Sequence, residues 1–253
     1  MENKEYRRLH AEWYEYVSGG HDQSKEIEFW MNCIEEAGGP VLEVGSGTGR
    51  ILVPLLERGV DIVGLDTSDN MMARCRAMCE TKGLKAELHK QSILDFDLSQ
   101  KFGLVVFGSG GLGLFLEEEE IKKAFERVMA HLRPGGLFIF EYEPVRKAWD
   151  DERKWWGDWV CGPDNIVIAW RNRNKYDPVT HIWTRLFVLD KFVDGVFVES
   201  EANERYGRFF TEDEARRYAL DAGFVDVRLT DWLTDAPPNE SSKVVTVRCR
   251  KPN

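Results

Sequence analysis

Three glycines in five positions, Gly45, Gly47 and Gly49, directly follow the apolar run Val41–Val44. Glycine loses more backbone entropy on folding than any other residue, so such a cluster indicates a sharp turn or a close approach to the main chain. A short buried strand, a glycine-rich turn and a helix in that order are typical of an open α/β sheet, in which ligands bind outside the carboxyl ends of the strands. This turn is the feature that most restricts the fold.

Strand and helix patterns alternate on both sides of residues 145–208. Strands are predicted at residues 41–44, 60–65, 86–89, 104–107, 137–142, 224–229 and 243–249, and helices at 22–37, 50–58, 68–81, 117–132 and 211–222. Ser68 is a plausible helix cap, and Thr211 with Glu214 forms a capping-box pattern. Strands joined by helices of this length predict a doubly wound, seven-stranded, mostly parallel sheet with right-handed crossovers.

Composition narrows the class of protein. A chain of 253 residues suits one α/β domain with an added part. The net charge of −10 argues against a nucleic-acid partner, and no apolar run has the length of a signal peptide or a membrane span. The five cysteines are scattered without a C-x-x-C pair, which predicts a reduced, cytoplasmic protein without a metal site.

Residues 145–208 differ from the rest of the chain in composition and in predicted secondary structure. They contain six of the nine tryptophans, namely Trp149, Trp155, Trp156, Trp159, Trp170 and Trp183. Three strand-like runs at 166–176, 181–192 and 196–206 are separated by Asp177-Pro178 and Asp194-Gly195, which predicts a three-stranded antiparallel meander. We therefore expect an N-terminal lid segment (1–21), an α/β domain (22–144 and 209–253) and an inserted β lid (145–208).

The middle run of this insertion is apolar on both predicted faces, for example at Leu186 and Val188 on one face and Phe187 and Leu189 on the other. Such a strand needs cover on both sides. The main domain is expected to supply one cover. A bound ligand, the N-terminal segment or the second subunit of a homodimer could supply the other.

Two classes of site use a glycine turn at this place. Dinucleotide oxidoreductases require G-x-G-x-x-G, but Arg50 stands where the third glycine would be, which disfavours NAD. The other pattern is E-x-G-x-G-x-G, which runs here from Glu43 to Gly49 and resembles motif I of class I S-adenosylmethionine-dependent methyltransferases. Further segments agree with that family in order and spacing: Gly64–Ser68, Met71-Met72, Gln91–Phe96 and Leu132–Gly136.

The resemblance covers about residues 22–142 and 209–250, and implies an antiparallel last strand and S-adenosylmethionine as cofactor. It looks most like small-molecule methyltransferases with a β insertion after the fifth strand, such as sugar N-methyltransferases. The cofactor-binding residues carried over are Tyr14, Glu43, Gly45, Ser46, Gly47, Gly49, Asp66, Thr67, Met71, Ser92, Ile93 and Gly108. Chemistry supports Asp66 independently, since a carboxylate at a strand end can accept hydrogen bonds from two ribose hydroxyls.

Two departures from the family concern catalysis. Gly103 replaces the usual acidic residue at the start of the fourth strand, and the loop that begins at Gly108 offers no Asn-Pro-Pro-Tyr-like motif. Any acid or base must then come from elsewhere or be absent. The catalytic candidates are Tyr14, Glu141, Tyr142 and Tyr206, and the substrate-binding candidates are Trp170, Trp183, Phe187, Arg205 and Arg208.

The sequence therefore predicts methyl transfer from S-adenosylmethionine to a small molecule beneath an aromatic β lid. The absence of an evident base favours an amine acceptor over a hydroxyl, since transfer to a neutral amine can run on positioning and desolvation. An NAD-linked oxidoreductase and a non-catalytic S-adenosylmethionine-binding protein are the alternatives.

Overall fold

The computed structural model describes residues 6–19, 22–145 and 154–253, so Trp149 lies outside the described residues. The strands are β1 (Val41–Val44), β2 (Ile62–Asp66), β3 (Glu87–Lys90), β4 (Phe102–Phe107), β5 (Leu132–Tyr142), β6 (Trp156–Cys161), β7 (Ile166–Tyr176), β8 (Ile182–Val193), β9 (Val196–Arg208), β10 (Val225–Asp231) and β11 (Val245–Arg250). The helices are α1 (Arg8–Gly19), α2 (Ser24–Ala37), α3 (Leu52–Glu57), α4 (Asp69–Thr81), α5 (Glu118–His131) and α6 (Glu212–Asp221).

The central sheet has seven strands in the order β10-β11-β5-β4-β1-β2-β3. Strands β1 to β5 pair in parallel, whereas β11 runs antiparallel to both β5 and β10. Helices α2, α3 and α4 bury one face of the sheet, and α5 and α6 bury the other. The predicted doubly wound sheet with an antiparallel last strand is confirmed.

Local signals explain two helix starts. The Ser68 hydroxyl accepts a hydrogen bond from the Met71 N–H, which caps α4. At α6 the Thr211 hydroxyl accepts from the Glu214 N–H at 3.2 Å, and the Glu214 carboxylate accepts from the Thr211 N–H at 2.8 Å. Both satisfy amides that a helix start would otherwise leave unpaired.

Several predicted boundaries differ from the structure, and two of these differences have a clear local cause. Helix α3 begins at Leu52 rather than at residue 50, because the glycine turn continues through Gly49, whose N–H bonds the Ser46 carbonyl at 2.9 Å. Strand β5 begins at Leu132 rather than at residue 137, since Leu132 already pairs with Phe102 of β4.

The insertion forms a separate antiparallel sheet, β6-β7-β8-β9, which we call the lid sheet. The prediction of three strands was wrong, because β6 adds a fourth that pairs with β7 from Trp156↔Asn172 to Cys161↔Val167. Five of the six β6 residues are exposed, so this strand lacks the alternation that marks a half-buried strand.

Helix α1 covers the inner face of the lid sheet. Leu9 packs with Ile168, Phe187 and Leu189 in one buried cluster, and the Leu9 N–H donates to the Glu201 carboxylate at 3.1 Å. On the outer face Leu186 remains 37% exposed. Of the covers considered from sequence, the structure shows the N-terminal segment on the inner face. Cover of the outer face by a second subunit stays a prediction.

No helix in the described part of the chain is long and apolar enough to cross a membrane. Within the same residues, no three histidine, cysteine or acidic side chains are grouped so that they could hold a metal ion.

Candidate active site

A cavity of about 220 Å³, here called the central cavity, opens at the carboxyl ends of β1, β2 and β4. Eleven of the twelve predicted cofactor-binding residues line it: Tyr14, Glu43, Gly45, Ser46, Gly47, Asp66, Thr67, Met71, Ser92, Ile93 and Gly108. The strand order explains this convergence, because the carboxyl ends of parallel strands meet at one edge of the sheet.

The three glycines of the turn have positive φ values of 70°, 56° and 89°. A Cβ on Gly47 would meet nothing nearer than the Gly45 carbonyl oxygen at 3.8 Å, so the Gly47 position faces open space beside the cavity. A Cβ on Gly49 would lie 2.7 Å from Cys75 Sγ and from Val53 Cγ2. Gly49 does not line the central cavity, and its assignment as a cofactor contact is corrected to one of close helix packing.

Asp66 ends β2 and organises the wall of the cavity. Its Oδ2 accepts a hydrogen bond from the Gly47 N–H at 2.8 Å, and its Oδ1 accepts one from the Ser68 N–H at 2.7 Å. Burial raises the pKa of the Asp66 carboxyl above its ordinary value, while these backbone donors oppose that shift. Each oxygen keeps acceptor capacity for a ligand hydroxyl.

Two residues of the lining carry polar atoms that are buried beneath the cavity surface. Within the described residues, Glu43 Oε2 and Ser46 Oγ are buried without a hydrogen-bond partner. Buried polar groups are nearly always hydrogen-bonded, so such atoms require an explanation. Burial also raises the pKa of Glu43 to about 8. Both atoms have almost no exposed surface, so a ligand in the cavity would not reach them directly. The acceptor positions left on Asp66 and the open space beside Gly47 fit the ribose and the amino acid part of S-adenosylmethionine.

Arg50 and Ser109 belong to the site, although sequence reasoning missed them. The Arg50 guanidinium pairs with Glu26 and donates to Ser109 Oγ at 2.9 Å. Ser109 has a φ of 55°, which is uncommon for a residue other than glycine. The available signal was the position of Arg50 one residue after the last glycine.

Two further cavities adjoin the central one. The lid cavity, about 260 Å³, lies between α1, the loop after β4 and the lid sheet, and the acidic cavity, about 480 Å³, is lined by Glu26, Glu141 and Glu143 among others. Tyr14 and Ser109 line all three cavities. This shared point is where groups bound in different cavities could meet.

Two of the four predicted catalytic candidates line the cavities, and the other two do not. Tyr14 lies at the shared point, and Glu141 lies beside it, where its carboxylate accepts from the Ser109 N–H at 2.6 Å and the Trp232 indole N–H at 3.0 Å. Burial raises the pKa of Glu141 to about 7. Tyr142 is fully buried in the core, and Tyr206 hydrogen-bonds Glu204, so neither lines the three cavities and both assignments are corrected.

Four of the five predicted substrate residues line the lid cavity: Trp183, Phe187, Arg205 and Arg208. Trp170 does not, because its ring stacks on Phe187 at 5.9 Å and packs edge-on against Trp13 at 6.0 Å. Its side chain holds α1 against the lid sheet, which corrects that assignment. Tyr6 and His10 of the N-terminal segment line the cavity and were not predicted.

Comparison with known proteins agrees with this geometry. The family model "Methyltransferase domain" matches residues 41–136. A Geobacillus sp. (strain WCH70) protein with the general name methyltransferase is 25% identical over 83% of this chain and 84% of its own. A dTDP-3-amino-3,4,6-trideoxy-alpha-D-glucopyranose N,N-dimethyltransferase of Streptomyces venezuelae is 28% identical over 54% of this chain and 58% of its own. A methyltransferase structure from Clostridium acetobutylicum ATCC 824 superposes with a TM-score of 0.80 at 16% identity, over 97% of this chain and 98% of its own.

The seven-stranded sheet with its ligand cavity at the strand ends defines the class I methyltransferase architecture. Together with the match of residues 41–136 to the methyltransferase domain, this fold supports a class I S-adenosylmethionine-dependent methyltransferase. The predicted fold class and cofactor are confirmed.

Proposed function

We propose that this enzyme methylates an amine nitrogen of a small molecule bound between the lid cavity and the acidic cavity. The observation that carries the proposal is the position of Glu141 and Glu143 at the acidic cavity, next to the point shared by all three cavities. Glu26 lines the same cavity, where it pairs with Arg50. Carboxylates attract an amine or its ammonium form and the positive charge that the nitrogen gains on methylation. The relative from Streptomyces venezuelae, named for N,N-dimethylation of an amino sugar nucleotide, supports an amine acceptor.

The residues of the chain have separable tasks in this proposal. Asp66 and the amides of the glycine turn hold the cofactor, and Tyr14 and Ser109 shape the opening toward the acceptor. When bound, S-adenosylmethionine supplies the methyl group: the nitrogen lone pair forms the new N–C bond while the C–S bond breaks and its electrons stay on sulfur. Tyr14, Phe107 and Phe115 line the cavity, and their rings would keep water away from the reacting groups.

The experiment compares matched acceptors. Purified enzyme is incubated with S-adenosylmethionine and pairs of sugars that differ only in an amino or a hydroxyl group at one carbon. S-adenosylhomocysteine formation is then measured. The proposal expects turnover with amino members and background rates with their hydroxyl counterparts. Turnover confined to hydroxyl members would contradict it, and cofactor binding without turnover on any acceptor would favour the non-catalytic alternative.

Other features stay predictions from sequence. They are the division into residues 1–21, 22–144 with 209–253, and 145–208, the lack of a nucleic-acid partner, the cytoplasmic location and the homodimer. Trp159 and Phe197, 68% and 56% exposed, are the lid-sheet residues at which size-exclusion chromatography of alanine variants would test a dimer contact.

A further inference from the structure

Two arginines lie side by side on neighbouring strands of the lid sheet. Arg185 of β8 and Arg205 of β9 are register partners, and both side chains line the lid cavity. Like charges directly opposite each other on neighbouring strands destabilise a sheet. An acidic chain with a net charge of −10 nevertheless places this pair, with Arg208 nearby, at one cavity. A negative group beside this pair would offset the repulsion between them.

The protein compensates these charges unevenly. Arg208 forms an ion pair with Glu214. Arg185 Nε donates to the Asn174 side chain at 2.9 Å, and its guanidinium, which has further contacts, lies 5.2 Å from the centre of the Trp183 ring. The Arg205 guanidinium lies 3.9 Å from the centre of the Tyr6 ring. Within the part of the chain that the structure describes, no carboxylate forms an ion pair with Arg205. Glu143 is the carboxylate that lines the same cavity.

His10 shows the effect of this positive field on a neighbour. Its ring is buried, stacks on Phe187 at 4.9 Å and lies with Nδ1 3.1 Å from Asn203 Nδ2. Burial, together with the charges of Arg205 and Arg185, lowers the pKa of His10 to about 3. The imidazole is therefore neutral near pH 7. It can donate from Nε2 when Nδ1 accepts from Asn203.

We propose that the lid cavity binds an oxyanion of the acceptor, a carboxylate or a phosphate, between Arg185 and Arg205. Guanidinium groups bind such oxyanions with paired hydrogen bonds, which an ammonium cannot do in the same geometry. This inference rests on the proposed function: the acceptor would carry its amine near Tyr14 and the acidic cavity, and its anionic group beneath the lid sheet. Charge at the two ends would then orient the nitrogen toward the methyl group.

The test uses anions as probes and needs no turnover. The full chain, saturated with S-adenosylhomocysteine, is titrated in a calorimeter with inorganic phosphate, pyrophosphate and glutarate, which distinguish phosphate from carboxylate recognition. We expect at least one anion to bind, and Arg205→Gln and Arg185→Gln each to weaken it tenfold or more. Arg171→Gln is the matched control, since Arg171 is an exposed arginine of the same sheet paired with Asp190, and it should change binding less than twofold.

Two outcomes would overturn the inference. One is that none of the three anions binds the wild-type protein. The other is that Arg171→Gln weakens binding as much as the two cavity variants, which would indicate a general charge effect. Melting temperatures show whether each variant is folded, and Arg205→Lys, which keeps the charge, should retain part of the affinity. If the wild-type protein turns over amines but binds none of the three anions, only the inference is rejected. If it binds an anion but turns over no amine, only the proposed function is rejected.

Discussion

The Gly47 N–H donates a hydrogen bond to Asp66 Oδ2 over 2.8 Å, so the carboxylate that ends β2 holds the glycine turn that ends β1. The other carboxylate oxygen accepts from the Ser68 N–H at 2.7 Å, just before α4 begins. A carboxylate offers about four acceptor positions, so two remain for a ligand. In the proposed function, Asp66 would thereby couple the shape of the turn to the binding of the cofactor.

The first prediction concerns this carboxylate. Asp66→Asn keeps the shape of the side chain but turns one acceptor oxygen into a donor, which the backbone N–H groups oppose. We expect S-adenosylhomocysteine binding to weaken by about 1.5–3 kcal/mol, the typical contribution of hydrogen bonds to a charged group. Calorimetry measures the change. Asp69→Asn, at an exposed carboxylate three residues away, is the control, and equal affinity for wild type and Asp66→Asn would contradict the assignment.

The second prediction separates ligand contact from backbone strain. Gly47→Val and Gly59→Val both place a branched side chain at a positive φ, 56° and 76°. Only the Gly47 position lines the central cavity, and a Cβ on Gly59 meets nothing within 4 Å. We expect both variants to lose stability but only Gly47→Val to lose S-adenosylhomocysteine binding, by more than a hundredfold in a thermal-shift titration. If both variants bind alike, the turn does not touch the ligand.

The third prediction follows from the buried Glu43. Burial raises its pKa in the folded protein to about 8, whereas an unfolded glutamate titrates at about 4.3. The folded state holds the proton more tightly between these values. The resulting stability is therefore present below pH about 4.3 and is lost as the pH rises through 8. Glu141, whose pKa is raised to about 7, acts in the same direction over a narrower window.

Urea denaturation of the ligand-free protein at pH 5, 6, 7 and 8 measures this dependence. The free energy of unfolding should fall across the series in wild type and fall less in Glu43→Gln, which cannot ionise. Glu119→Gln, at an exposed residue, should keep the wild-type slope. An unchanged slope in Glu43→Gln would show that Glu43 does not titrate in this window.

The sequence predicted the central sheet because its strands and helices carry clear apolar periodicity and recognisable caps, as at Ser68 and Thr211. Strand β6 was not predicted, because most of its side chains face water and its sequence therefore shows no apolar periodicity. It is a strand only through its pairing with β7. Periodicity reports burial, and it is silent about an exposed edge strand.

The site shows the same limit. Gly47 and Gly49 are equivalent in the motif, and only the tertiary positions of Cys75 and Val53 reveal that Gly49 faces helices rather than the cavity. The cross-strand pair of Arg185 and Arg205 depends on the register of β8 and β9, which the composition of the two strands does not determine.

The last prediction distinguishes two aromatic residues of β8 that the sequence could not separate. Phe187 is 4% exposed and packs against His10, Trp13 and Trp170, so it fastens α1 to the lid sheet. Phe187→Ala should lower the free energy of unfolding by about 3–5 kcal/mol, the usual effect of truncating a buried phenylalanine. It should also weaken S-adenosylhomocysteine binding, because α1 carries Tyr14 of the central cavity.

Trp183 precedes Phe187 on the same strand. It is half-buried and lines the lid cavity next to Gly207. Trp183→Ala should leave S-adenosylhomocysteine affinity within twofold of wild type, and it should raise the KM of an acceptor identified in the amine screen. Trp159→Ala, on the exposed outer face, should change none of these quantities. Urea denaturation measures the stability of the three variants, and calorimetry measures their affinity for S-adenosylhomocysteine. If Trp183→Ala weakens cofactor binding as much as Phe187→Ala does, Trp183 supports α1 rather than the acceptor.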